Sequence, residues 1–444
     1  MSISQNFPNT RPSLSINFAR SQTLDPRITF TRTTSGTRVG PDGYIEVIPA
    51  DQPRFDFDPV TGECLGLIIE EQRQNLIFYN TKHDEGYWVN QNSSETINTT
   101  ETLSPDGTNN ATKLFGNNGA TTRQSIYQGV SVISGRTYTF SVFLKQGERR
   151  YATIWFDSPN VSEGAYWGSA TIFDLQTGTL ATGTQSSIVP YPNGWYRCYV
   201  TATPTATQSM NMQVSVGGPN NNSGAPYDAT ADGSSGIYIW GHQVEEDKDI
   251  SSLIYTTNSQ ATRESDNVYM TDISDFFNPN EGTAIITYRP RFNGVYNTPF
   301  NRLFSFVSPA GRNIGFSGNA NAFQLYFSDY GALLDGGHFT WLYPPSPPSM
   351  ERSERVLVSY ANTYFRMYED QRPFASTNTL YGAGKISEYI PSAVGISTLG
   401  FNALTFGSHS TSNTNSKFNH TLQQFIYYPN EVGVSNAKTL SKRS

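Results

Sequence analysis

Asp56 and Asp58 stand two positions apart in the run FDFD. On an extended strand such positions share a face, so both carboxylates would point the same way and their repulsion would favour a cation such as a structural Ca2+. The doublet equally fits a solvated strand edge ahead of the Asp58-Pro59 turn. Aromatic rings offer a second chemistry, because sugar binding needs flat apolar faces for a pyranose, with amides and carboxylates to fix its hydroxyls. In RYATIWFD, Tyr151 and Trp155 oppose the apolar stripe, and in MNMQVSV Asn211 and Gln213 lie on the polar face. Together these four could form a shallow groove. The alternative for Trp155 is a core ring in a sandwich that buries both sheets, the reading also given to Trp195 and Trp240. Trp167 in SEGAYWGS, and Trp341 with Tyr343 beside the Pro-rich loop, read as loop aromatics. Such rings need a partner, either a sugar or a neighbouring subunit.

Reactive groups are sparse. The chain has no G-x-S-x-G elbow, H-E-x-x-H helix, C-x-x-C pair or phosphate-binding G-x-x-x-x-G-K-[ST] loop. His83, His242, His338, His409 and His420 are scattered, without a second histidine at ligand spacing. Acids on distant strands could still form a glycosidase pair, with FDFD, EED, Asp157 and Asp174 as candidates. Glu70-Glu71 and Glu245-Glu246-Asp247 read as exposed strand ends.

The elements that must position these groups are strands. Of 444 residues only 15% are charged and 13% are aromatic, a balance that favours sheets over helical bundles. Gly 37 and Pro 25 supply many turns while staying well under the ~25–30% that marks low-complexity disorder. Alternation in YTFSVFLK predicts a half-buried strand interrupted by Phe143, and WYRCYVTA, GIYIWGHQVEE, TAIITYRP and TLQQFIYYP predict more. Turns such as Asp42-Gly43, Thr61-Gly62 and PNG at Pro192–Gly194 separate them. Only VSNAKTLSK, near the end, reads as helical. The expected fold class is all-β: a β-rich N-terminal assembly segment (1–86), a jelly roll (87–255), a polar linker (256–267) and a lectin-like β-sandwich (268–444). The first segment is short for a core of its own, so strands such as LGLIIEE are expected to lie on the next domain or on partner chains.

The net charge is −7 and no Lys/Arg block occurs, which argues against nucleic acid. No run approaches the ~18 apolar residues that span a bilayer, and MSISQNFPNTRPSLSINFAR lacks the apolar core of a signal peptide, so membrane insertion is not expected. Cys64 and Cys198 read as buried free thiols.

The wording of the chain resembles a known class. PSLSINFARSQTLDPRITFTRTTSGTRVGPDGYIEV and PRFDFDPVTGECLGLIIEEQRQNLIFYN resemble the opening of structural appendage proteins of tailed, cyanophage-like bacteriophages. SGRTYTFSVFLKQGERRYATIWF, YPNGWYRCYVTAT and GIYIWGHQVEE are similar to phage carbohydrate-binding-module jelly rolls, and RVLVSYANTYFRMYEDQRPFAS to laminin G or concanavalin A type sandwiches. The resemblance implies a non-enzymatic virion protein, assembled in the host cytoplasm as a fibre or appendage component. It would form a homo-oligomer, most simply a trimer, bind other virion proteins and contact bacterial surface polysaccharide, with no cofactor beyond a structural Ca2+. A head fibre or tail adaptor that binds only virion proteins, and a capsule depolymerase, are the alternatives.

Overall fold

The computed structural model describes residues 11–164, 170–183, 186–218, 230–291, 301–310, 313–319, 322–329, 332–333, 340–343, 353–361, 364–369, 372–373, 375–376, 400–407, 419–433, 436 and 440. For 162–164, 301–302 and those between 313 and 343 and between 364 and 376, it describes the backbone alone. The protein is all-β, built from two pairs of large antiparallel sheets.

A seven-stranded and a six-stranded sheet form the jelly roll. Alternating apolar positions of Tyr138–Gln146, Tyr151–Asp157, Trp195–Pro204 and Gln208–Val216 point between them, burying Phe140, Val142, Ile154, Phe156, Val200 and Val214. The second pair has eight and nine strands. Its central strand, Glu281–Pro290, pairs with Glu354–Ala361 on one side and His420–Tyr428 on the other.

The N-terminal segment belongs to this second sandwich. Leu14 lies opposite Tyr427, Phe30 opposite Val268, and Leu67 opposite Leu422, so the first strands complete sheets whose other members come from the end of the chain. Leu67, Ile68 and Ile69 are fully buried within one chain, each side chain contributing roughly 1.5–3 kcal/mol. LGLIIEE therefore needs no partner subunit to cover it. Gly66 in that strand sits at φ +114, and a Cβ there would lie 2.3 Å from the Leu422 carbonyl oxygen, so the close strand approach requires glycine.

It follows that the jelly roll is inserted into the second sandwich. Its entry and exit are held by a two-stranded neck, Arg73–Asn75 against Ala261–Arg263. The expected linker is thus partly a strand, and Arg263 and Asp266 within it are buried. A chain segment rich in polar residues reads as solvated until other buried charges are found to meet it.

One further reading changes for the same reason, a covering layer invisible to local sequence. Tyr138–Gln146 is buried on both faces up to Leu144, because outward-facing Phe143 packs with Trp195 and Trp240 under Ile45 and Leu253. The Gly36–Val39 and Ile45–Ile48 hairpin lies over that outer face, and its Gly43, at φ +85, meets Pro192 of the jelly roll closely enough to exclude a Cβ. A one-turn helix at Phe18–Ser21, capped by Asn17 accepting from the Arg20 amide at 2.9 Å, went unread in the sequence. Asn436 and Leu440, within the predicted C-terminal helix, are helical. Cys198 is buried, Cys64 half-buried, and both are free. Among the described residues no helix is long and apolar enough to cross a membrane.

Candidate functional site

Beside the neck, three parts of the chain enclose a cleft of about 500 Å³, within the ~300–1,000 Å³ usual for ligand sites. The strand Phe55–Phe57 and the turn joining it to its partner Cys64–Ile69 contribute Asp56 to Thr61, the jelly-roll strand Ser186–Pro190 contributes its edge and Tyr191, and the second sandwich contributes Arg289 to Arg291. Tyr191 is placed by the Pro192–Gly194 turn, which its amide closes by donating to the Trp195 carbonyl at 2.8 Å. Asn193 and Gly194 both adopt positive φ there, 58° and 75°, as such a tight turn demands.

The floor of the cleft is the end of a buried charge network. Asp266 binds Arg32 at 3.0 Å and Arg54 at 2.6 Å, and Glu70 binds Arg54 at 2.9 Å and Arg263 at 3.5 Å. Glu70 also accepts from the Ser252 amide and hydroxyl at 2.9 and 2.7 Å. Burial alone would raise the Glu70 pKa, but Arg263, Arg54 and Arg291 outweigh it and hold the carboxyl well below its ordinary range. Asp266 is lowered in the same way, burial being offset by Arg54, Arg263 and Arg32. The reading of Glu70 as an exposed strand end is thus corrected, and Glu245, which accepts from the Ser251 amide and hydroxyl, is buried too.

Arg291 carries the network into the cleft, with Nε 3.2 Å from Glu70 and Nη1 2.5 Å from Asp56. Asp56 also accepts from the Val39 amide at 2.9 Å. Asp58 accepts from the Val60 and Thr61 amides, both at 2.9 Å; burial raises its pKa, and these bonds more than reverse that. The doublet expected to hold a cation is therefore occupied by a guanidinium and by turn amides. Such donors do not fit a Ca2+ site, and among the described residues no group of three or more His, Cys, Asp or Glu could hold a metal.

Arg197 differs from the other buried arginines. It is 3% exposed, lines the cleft, and donates to the Ser251 carbonyl at 2.7 Å and the Ser141 hydroxyl at 3.1 Å. Its guanidinium lies 5.4 Å from the Phe143 ring centroid. No described carboxylate lies within the 4.0 Å of an ion pair, and burial lowers its pKa. Burial raises the Tyr191 pKa, on which Arg197 and Asp56 also act.

The rings expected to bind sugar have other positions. Trp155 and Gln213 are register partners and Asn211 lies opposite Asp157, so the structure does bring those three side chains to adjoining strands. Trp155, however, is fully buried, and its indole nitrogen donates to Asp157 at 3.4 Å. Gln213 is also buried and donates to Asp157 at 3.0 Å. With no open ring face the groove lacks its stacking surface. Tyr151 is half-buried at the other end of the strand, with Arg150 5.1 Å from its ring centroid. Trp167 lies outside the described residues. Trp341 and Tyr343 stand on a strand, Thr340–Tyr343, and not in a loop; their side chains are outside the described residues.

Sequence reasoning missed Arg197, Arg291 and Tyr191. A signal existed for Arg197 in WYRCYV, where an arginine interrupts a strongly apolar strand, whereas Arg291 follows the run TAIITYRP and had none. It marks a buried cation without saying what faces it.

No protein-family model matches the chain, and no curated protein sequence does. Among solved structures, the chain is similar to the Ruminococcus gnavus IT-sialidase CBM40 bound to α2,3-sialyllactose, at 11% identity over 36% of this chain and 83% of that one, TM-score 0.27. It is also similar to domain 4 of a GH43 extracellular arabinanase from Geobacillus stearothermophilus in complex with arabinotriose, at 12% identity over 41% of this chain and 77% of that one, TM-score 0.29. A Trypanosoma rangeli sialidase in complex with the inhibitor DANA gives 11% identity over 75% of this chain and 60% of that one, TM-score 0.28. These are loose likenesses in the packing of strands.

Proposed function

We propose that this protein is a non-enzymatic appendage component of a tailed-phage virion that grips an acidic glycan of the bacterial surface in the cleft beside its neck. The observation that carries the glycan reading is Arg197, a buried cation with no described carboxylate within ion-pair distance, in a cleft lined by three arginines and only two aspartates. Glu245 and Glu70 act on this cation only from beyond contact distance, and a buried charge without a contact partner is costly, so a carboxylate or phosphate on a sugar is the ligand chemistry that best offsets it. Tyr191 and Pro190 supply apolar surface for the sugar ring. The virion role is supported by the resemblance of the N-terminal residues, and assembly as a homo-oligomer, a trimer in the simplest case, would raise weak affinity by ~10²–10⁴. No cofactor enters this reading.

A glycan array of bacterial surface polysaccharides tests it, using the purified oligomer. Acidic glycans are expected to bind, with affinity falling as salt rises and falling about 10-fold in Tyr191→Ala. An array without any bound glycan, together with capture of another virion protein, would replace this reading with the adaptor alternative. Light scattering that returns a 49.2 kDa monomer at micromolar concentration would remove the oligomer.

A further inference from the structure

Away from the cleft, where the chain leaves the neck for the jelly roll, three rings come together at the surface. Tyr87 is 42% exposed, which sets it apart from the buried Trp155. Its ring stacks on Phe78 at 5.3 Å with 23° between planes, and meets Tyr79 at 5.1 Å and 44°. Phe78 is held by Gln128, which accepts from its amide at 2.7 Å and donates to its carbonyl at 2.9 Å. The backbone that carries the Phe78 ring is thus held before any ligand arrives.

The backbone adds a second, independent observation. Tyr79 has φ 47, in the left-handed region that non-glycine residues avoid, and an aromatic side chain there is uncommon. The conformation is locked on both sides of the peptide: the Tyr79 amide donates to the Thr257 carbonyl at 2.8 Å, and its carbonyl accepts from the Trp88 indole at 3.1 Å. Strain is retained here to aim a ring that contributes little to the core.

The rim is polar and acidic. Asp84 and Glu85, both exposed, stand three and two residues before Tyr87 in the same segment. The exposed residues Thr257 to Gln260 run alongside, next to the carbonyl that takes the Tyr79 amide. Phenols and a carboxylate beside a flat ring can bond vicinal hydroxyls while the apolar face of a pyranose rests on the ring. A protein partner needs ~1,000 Å² or more of buried surface for a stable interface, far more than three rings offer, whereas one sugar ring matches them.

We infer that Phe78, Tyr79 and Tyr87 form a second glycan site, one that takes an uncharged pyranose, the nearby Asp84 and Glu85 being unfavourable to acidic sugars. This rests on the glycan-binding reading but on a different surface and a different sugar chemistry from the cleft. Two sites per chain for neutral and acidic residues would let one heteropolysaccharide engage both.

Calorimetric titration and saturation-transfer NMR against a panel of neutral gluco- and galacto-configured hexasaccharides test it on the full chain. Binding is expected in the native protein, weakened about 10-fold in Tyr87→Ala and restored in Tyr87→Trp, with only a small fall in melting temperature in Tyr87→Ala, because the partly exposed ring loses just its contacts with Phe78 and Tyr79. Tyr191→Ala in the cleft should leave this binding intact. Absence of neutral-sugar binding, or equal binding by native protein and Tyr87→Ala, overturns the inference; if acidic glycans still bind through the cleft, the proposed function stands without it. Loss of both acidic and neutral binding in the native protein overturns both.

Discussion

Arg54 and Asp266 meet at 2.6 Å with neither side chain exposed, although 212 residues separate them in the chain. Between them in sequence lies the entire jelly roll, so this contact fastens its point of entry to its point of exit. Glu70 reinforces the fastening from the same strand region, through Arg54 and Ser252.

Breaking this pair from one side should be expensive, because the other charge stays buried. Asp266→Asn is expected to destabilise by about 3–5 kcal/mol, and the double variant Arg54→Met/Asp266→Leu by less than the sum of its single changes. Scanning calorimetry checks both. A loss under about 1 kcal/mol for Asp266→Asn would mean that the network does not stabilise the junction.

Stability should fall with acid in two stages. His242 is fully buried, and burial followed by the charge of His83 lowers its pKa well below the ordinary value. Below about pH 6.5 the unfolded chain takes up this proton and the folded chain does not, so stability declines by at most about 1.4 kcal/mol per pH unit. Glu70 and Asp266 have lowered pKa values, so their contribution is complete above about pH 5 and is lost as pH falls through the folded values. Denaturant midpoints measured from pH 8 to pH 3 should show both stages. His242→Phe, which suits the ring contacts with Trp88 and Phe140, should remove the upper stage alone; an unchanged slope between pH 5 and 6.5 counts against the assignment.

Trp155→Ala should act on folding. Truncating a fully buried tryptophan costs ~3–5 kcal/mol, and glycan affinity per folded molecule should be unchanged. Thermal melts paired with titrations of the folded fraction decide this. A weakened affinity at constant melting temperature would return Trp155 to a binding role.

No reducing sugar should be released from host polysaccharide. Asp157 and Asp174 mark opposite ends of the Tyr151–Asp157 strand, Asp174 lying opposite Tyr151, which sets them ~20 Å apart against the ~9.5 Å limit for a glycosidase pair. Asp174 is bonded by Arg150, which brings its pKa down to about 2, so it holds no proton to donate at neutral pH. Steady release of reducing ends that stops in Asp56→Asn or Asp58→Asn would establish an enzyme.

The all-β character, the turns at Asp42-Gly43 and Pro192–Gly194, and the inward faces of Tyr138–Gln146 and Gln208–Val216 were legible in the amino-acid order. Side-chain alternation and turn chemistry are local properties, set within a few residues. The sequence also showed that Trp155 and Gln213 both stand opposite the apolar stripe of their strands, and the register made them neighbours on one face. What local order could not supply is the layer on the far side of each strand. Glu70 follows an apolar run just as an exposed strand end would, and only the meeting of Arg54, Arg263 and Arg291 around it shows that it is buried. Likewise Leu14 pairs with Tyr427 across nearly the whole chain, which makes the N-terminal segment part of the last sandwich and the jelly roll an insertion. The exposed face of Tyr87 and the covered face of Trp155 were decided at that same level. Periodicity reports which side of a strand is apolar, whereas tertiary packing determines which apolar or charged surface is left for a ligand.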